Sequence, residues 1–152
     1  MKGGRHVPVR RNSMSASEAY HAGVDSLVDG QCLVLFPEGT YTKDPDGWPM
    51  NFKPGIAKLA LATGVPVIPI AHWGTHEVLP PGGKPRLLPR RTVHIHAGPP
   101  VDLSDLVSED PGKRQMIEGT KRIMAAVTEQ LREIRGVPAS EQPPSKVEPP
   151  AA

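Results

Sequence analysis

The residues best placed for chemistry are Phe36-Pro37-Glu38-Gly39-Thr40. They close an apolar run, residues 32–36, short enough to be a buried strand. Pro37 sets its own backbone and Gly39 permits a tight turn. Such a turn exposes the Glu38 carboxylate and the Thr40 hydroxyl at the edge of a sheet. By itself the string is equally a proline–glycine turn with a solvated glutamate. Its neighbours add cations. Val7-Pro8-Val9-Arg10-Arg11 lies one helix upstream, and Phe52-Lys53-Pro54-Gly55 lies one loop downstream. On position alone Arg11 and Lys53 are ordinary solvated cations.

Other candidates are weaker. His72 and His76 are four apart with Glu77 adjacent, a conceivable metal set. Gly74 makes that segment a loop, so the spacing does not put both rings on one helical face, and no metal is expected. His94 and His96 share a strand face with Thr92, away from Val93 and Ile95, and a half-exposed polar sheet face accounts for them. Cys32 opens an apolar strand and reads as a small core residue. Residues 78–101 hold no acid but carry Lys84, Arg86, Arg90 and Arg91 around Leu87 and Leu88. That mixture fits an anionic bilayer surface or the phosphates of coenzyme A, and equally a solvated basic loop.

The elements that must position these groups follow from periodicity and punctuation. Residues 7–9 form a short strand. Ser15-Ala-Ser-Glu18 has capping-box spacing, and Tyr20, Val24, Leu27 and Val28 then share a helical face that Gly30 ends. Pro54 opens a second helix, with Ile56, Leu59 and Ala60 on one side and Gly64 past its end. Residues 65–71 are a buried strand whose prolines place it near an edge or a strand end. Residues 92–97 are another strand, and 102–107 a helical turn. Residues 113–135 are the longest helical pattern, striped by Ile117, Ile123, Met124, Val127, Leu131 and Ile134. Residues 37–52 and 72–90 are long loops. Strand–helix–strand order implies parallel pairing, and apolar strands without alternation imply a sheet covered on both faces. Both long loops then lie beyond the carboxyl ends of strands, where such sheets bind ligands.

The ordered set of strings resembles the lysophosphatidate acyltransferase (1-acylglycerol-3-phosphate acyltransferase) family over residues 7–106. The family shares four blocks. Arg11 matches the arginine of the second, Phe36-Pro37-Glu38-Gly39-Thr40 the third, and Val65-Pro66-Val67-Ile68-Pro69 the fourth, with Lys53 and Gly55 at a lysine and glycine usual between the last two. The combination is far more specific than any single block. The resemblance implies acyl transfer from acyl-CoA or acyl carrier protein to the hydroxyl of 1-acylglycerol-3-phosphate, giving phosphatidate. Arg11 and Lys53 would hold the acceptor's phosphate, and Glu38, Gly39 and Thr40 its glycerol part. A guanidinium fork suits phosphate geometry, and a lysine supplies a point charge. The strand at 65–70 would line the acyl or acceptor pocket. The thioester is a co-substrate, and no cofactor is implied.

The first block, His-x-x-x-x-Asp, supplies the family's general base and the aspartate that orients it. It is missing. The residues five positions after the six histidines are Arg11, Ser26, Glu77, Pro81, Pro99 and Val101. Without a positioned base the acceptor hydroxyl is a poor nucleophile, so no catalytic residue is assigned and the chain alone is expected to be inactive. Tyr41 stands where many members carry arginine. The alternatives are a non-catalytic phospholipid-binding pseudoenzyme or module, or acyl transfer to glycerol-3-phosphate or another lipid.

Length and composition agree with this reading. The 152 residues suffice for a single domain, 38% are hydrophobic, and aromatics are only 4%, so aliphatic side chains build the core. Eighteen basic against sixteen acidic residues give no case for nucleic acid. A lone cysteine excludes an internal disulfide framework and fits a reducing compartment. No targeting or membrane-spanning segment is legible: the most apolar stretch, residues 59–71, is short and interrupted by Gly64, Pro66 and Pro69. The expectation is an α/β fold, a mostly parallel sheet with helices on its faces, glycerolipid acyltransferase-like and N-terminally truncated. Residues 1–136 would be the C-terminal part of a single domain and 137–152 a disordered Pro-rich tail. Exposed apolar surface, marginal stability and a cytoplasmic location at the inner face of a membrane follow from it.

Overall fold

The structure is a computed structural model that describes residues 15–138. Arg11, the strand expected at 7–9 and residues 139–152 lie outside the described residues. Helix α1 spans Ser15–Val28, and α2 spans Gly55–Thr63. Strand β1 spans Ile70–Trp73, the one-turn helix α3 Thr75–Val78, and strand β2 His94–Ala97. A 3₁₀ turn at Ser104–Leu106 leads into the long helix α4, Lys113–Arg135.

The helices stop where the punctuation says. Asp25 O accepts from the Asp29 N–H and Leu27 O from the Gly30 N–H, so α1 unwinds at Gly30. Pro54 caps α2, and Gly64 takes a left-handed conformation (φ 66°) that returns its N–H to Ala60 O. Gly136 ends α4, with the Val137 N–H on Arg132 O. Tyr20, Val24 and Leu27 are half-buried, whereas Val28, expected on the same face, is exposed.

Helices α2 and α4 cross over the main core. Gly119 is the contact point: a methyl there would lie 3.3 Å from Ala57 Cβ, so the absent side chain lets the backbones approach. Phe52, Ala57, Ala60, Leu61, Leu103 and Ile123 are buried around this crossing. Helix α1 packs on α2 through Gly23 against Leu59, with Lys58 Nζ 4.3 Å from the Tyr20 ring centre. A second cluster, Trp48, Ala71 and Leu131, fills the space between β1 and the end of α4. Val137, assigned to the tail by composition, packs against it.

The sheet differs from expectation. Strands β1 and β2 pair antiparallel, with Ile70 opposite Ala97 and Trp73 opposite His94. The connection between them carries only the four-residue α3 and no helix long enough to cross the sheet, so the chain turns back. The mostly parallel sheet is therefore corrected to an antiparallel pair among the described residues. Regular pairing begins just after Pro69, because Pro66 and Pro69 have no N–H to give. Looser bonds continue it, from the Gly98 N–H to Pro69 O and the Val101 N–H to Val67 O.

Residues 32–36 form no strand among the described residues, and Val34 and Phe36 are 73% and 76% exposed. Cys32 is exposed as well, not a core residue. On β2 His94 is exposed and His96 half-buried, the half-exposed polar face expected of them. Ala71, directly opposite His96, is buried against Leu131 of α4, and His96 Nδ1 lies 3.1 Å from Glu133 Oε2. Ile95, on the other face, is 71% exposed. The histidine face is thus the one that α4 partly covers. Its cover is polar because Gln130 of α4, itself buried, lays its amide across the strand ends. The amide nitrogen donates to Pro69 O (2.8 Å) and His96 O (3.2 Å), and its oxygen accepts from the Gly98 N–H (2.9 Å).

Candidate functional site

The turn after Phe36 is built by its own backbone. Gly39, at φ 65°, gives its N–H to Phe36 O at 3.0 Å, and the Lys53 N–H reaches back to Pro37 O at 2.9 Å. That second bond closes the loop from residue 38 to residue 52 and brings Lys53 beside the turn. The Lys53 side chain lies across Gly39: a methyl on Gly39 would stand 3.4 Å from Nζ. Glycine here serves the left-handed backbone. Gly39, Thr40 and Lys53 are exposed and Glu38 is half-buried. The structure therefore gathers Glu38, Gly39, Thr40 and Lys53 in one place. Arg11 lies outside the described residues.

Glu38 is the unusual member. Its Oε2 is buried and meets no hydrogen-bond partner among the described residues. Burial pushes its pKa above the ordinary glutamate value, and the Met50 backbone amide, which hydrogen-bonds the carboxylate, pulls the other way. A carboxylate oxygen left without a donor is an acceptor for a ligand hydroxyl, and the neighbouring ammonium is a point charge for an anion. Together they suit a small polar molecule carrying both.

The loop that positions Lys53 is braced from a distance. Asp44 Oδ1 accepts the N–H groups of Asp46 (3.0 Å) and Trp48 (3.1 Å), and the Thr42 hydroxyl donates to Trp48 O (2.7 Å). The buried Trp48 ring carries the Arg135 guanidinium 4.2 Å above it, and the same guanidinium lies 4.4 Å from the centre of the Trp73 ring. Arg135 Nη1 also donates to Asp46 O at 2.9 Å. This brace joins the loop to α4 and β1. Sequence reasoning missed it, because a tryptophan and an arginine so far apart in the chain leave no local pattern.

The remaining candidates separate. The Thr75 hydroxyl and His72 Nδ1 share a hydrogen bond of 3.0 Å, His76 packs on Trp73, and Glu77 pairs with Arg91 at 3.1 Å. The expected plain loop contains helix α3 here, started by Gly74. Among the described residues no group of three or more His, Cys, Asp or Glu side chains is arranged to hold a metal ion. Lys84, Arg86 and Arg90 are exposed, on the connection from α3 to β2. The fourth-block strand is split: Val67 packs on the core, while Ile68 and Ile70 are exposed. Among the described residues no helix is long and apolar enough to cross a membrane.

A family model described as Acyltransferase matches residues 1–73. A chloroplastic 1-acyl-sn-glycerol-3-phosphate acyltransferase of Brassica napus is 35% identical over 79 residues, 51% of this chain and 22% of that protein. A chloroplastic enzyme of the same name from Arabidopsis thaliana is 32% identical over 96 residues, covering 58% of this chain and 26% of its own. The 1-acyl-sn-glycerol-3-phosphate acyltransferase of Pseudomonas aeruginosa is 32% identical over 112 residues, 74% of this chain and 40% of that one. The chain thus spans between about a fifth and two fifths of the length of these relatives. No solved structure matches it.

Proposed function

The chain belongs to the acyltransferase family, and we propose that Glu38, Gly39, Thr40 and Lys53 form the acceptor side of a site for acyl transfer to 1-acylglycerol-3-phosphate. The observation that carries this reading is the passage of Lys53 over Gly39 beside a carboxylate oxygen that has no partner among the described residues. Lys53, with Arg11, neutralises the acceptor's phosphate. Glu38 Oε2 accepts a hydrogen bond from the glycerol part and orients its free hydroxyl.

The chemistry is ester formation. The acceptor hydroxyl oxygen attacks the carbonyl carbon of an acyl thioester, acyl-CoA or acyl carrier protein. The new C–O bond forms, the C–S bond breaks, and the hydroxyl proton leaves with the thiolate as thiol, giving phosphatidate. No cofactor beyond the thioester is required. The residues on the page bind and orient; none is a base for the hydroxyl proton. The 152-residue sequence contains no His-x-x-x-x-Asp string. By itself it therefore binds the acceptor without turning it over, which is also how a phospholipid-binding pseudoenzyme behaves. Because the acceptor is a lipid, binding takes place at a membrane surface, peripheral to its inner face.

Calorimetric titration with a short-chain, water-soluble lysophosphatidate tests the site. Saturable binding that is lost when the phosphate is removed from the ligand is expected. Equal affinity for the dephosphorylated ligand overturns the reading. Transfer of a labelled acyl group by this chain alone overturns the inactivity.

A further inference from the structure

Leu88 is the most exposed large hydrophobic side chain among the described residues, at 85%, and its neighbour Leu87 is 73% exposed. Such a pair normally sits in a core or against a partner. The segment that carries it is held at both ends. The Arg86 N–H donates to Val78 O at 2.7 Å, and Arg91 pairs with Glu77 at 3.1 Å. The two contacts fasten residues 86 and 91 to helix α3, so the leucines stand on a short span tied at its base. Every residue from 81 to 95 is exposed, so no concave protein surface encloses the pair. Its neighbours are cations: Lys84, Arg86 and Arg90, for which no carboxylate partner occurs among the described residues.

We propose that this span is a membrane-docking element, Leu87 and Leu88 entering the boundary between headgroups and acyl chains of an anionic bilayer while Lys84, Arg86 and Arg90 meet the lipid phosphates. Charge complementarity selects the occupant. Cations on both sides of an apolar pair in the chain, without carboxylate partners among the described residues, match a surface that is anionic outside and apolar immediately beneath. A bilayer accepts two side chains without a shaped pocket. A protein partner needs complementary relief, and the all-exposed span offers none. The element extends the acceptor reading, since it would hold the chain at the surface that supplies a lipid acceptor. It does not depend on that reading for its test.

The test uses the intact chain and acceptor-free vesicles, either pure phosphatidylcholine or seven parts phosphatidylcholine to three of phosphatidylglycerol. Co-sedimentation with the anionic vesicles only, weakening as salt rises, is expected. L87S/L88S should lower that partitioning at least about tenfold. K84Q/R86Q/R90Q should lower it by about a hundredfold. Leu88→Trp should give emission that shifts to the blue with anionic vesicles and is quenched by lipids brominated in their acyl chains. Fully exposed positions leave the melt unchanged, which separates lost docking from lost folding. Equal binding to both vesicles, or binding indifferent to the leucines, overturns the proposal. So does a leucine-dependent dimer, or leucine-dependent binding of acyl carrier protein, with no vesicle binding. Titration of the short-chain acceptor without vesicles reports on the acceptor site alone, so either idea can fail while the other stands.

Discussion

The Arg135 guanidinium lies 4.2 Å over the Trp48 ring and donates to Asp46 O at 2.9 Å, 89 residues away in sequence. The Trp73 ring centre lies 4.4 Å from the same guanidinium. A half-buried cation in contact with two indoles is worth more than a single exposed pair, and the backbone hydrogen bond adds to it. Arg135→Met should therefore lower unfolding free energy by about 2 kcal/mol. Arg135→Lys should fall between, since an ammonium keeps the charge but not the plane. Urea unfolding followed by tryptophan emission reads both. An Arg135→Met midpoint equal to that of the parent would mean the stack contributes nothing.

How far this was legible depends on the range of the interaction. Helices α2 and α4 were readable because their ends are written locally, by Pro54 and Gly64 and by Gly136. The sheet was not. An apolar run such as residues 32–36 records that it is apolar, and the strand that pairs with it is set elsewhere. The polarity of His94 and His96 reads as a half-exposed face, which His94 exposed and His96 half-buried match, but it does not reveal what packs on that face. The covering helix supplies Glu133 and Gln130, so the polar face is the inner one. The gathering of Glu38, Gly39 and Lys53 was implied by motif order alone. The Arg135 brace had no local signature at all.

The Gln130 amide tests that inner face. Gln130→Leu removes partners from Pro69 O and His96 O and should cost about 1–3 kcal/mol. Gly98→Ala attacks the same contact, because the new methyl would collide with the end of the Gln130 amide. If that collision is the cause, the two changes are not additive: Gly98→Ala should cost much less in a Gln130→Ala background. A thermal-melt double-mutant cycle decides it, and additive losses would place the cost of Gly98→Ala elsewhere.

Glu38 makes a prediction in pH. Its folded pKa is raised by burial. The stability tied to this group is then complete below its unfolded pKa and is lost as pH rises through the folded value. At neutral pH the folded chain holds a charge that burial disfavours. Glu38→Gln cannot ionise, so it should melt higher than the parent near neutrality, with the difference vanishing below about pH 4. The same change weakens an acceptor that must meet a carboxylate, so a more stable chain that binds less well is the expected pair of results. A Glu38→Gln melt that is lower at both pH values would show that the carboxylate is needed for folding.

Lys53 separates positioning from charge. Its side chain is exposed, so Lys53→Met should leave the melt within about 0.5 kcal/mol of the parent. Its ammonium is the charge that the short-chain lysophosphatidate would meet, and a charge-assisted contact of this kind is worth about 1.5–3 kcal/mol. Lys53→Met should therefore weaken binding of that ligand by roughly tenfold to a hundredfold. Lys53→Arg should recover part of it. Affinity for the dephosphorylated ligand should not change, because the loss belongs to the phosphate. The passage of the side chain over Gly39 adds a second route to the same end. Gly39→Ala leaves the ammonium in the chain with room beside it, but strains a backbone at φ 65° and so shifts the turn over which the lysine lies. If position matters as well as charge, Gly39→Ala should lose affinity that higher ligand charge does not restore. Full affinity in both variants would place the phosphate site elsewhere in the chain.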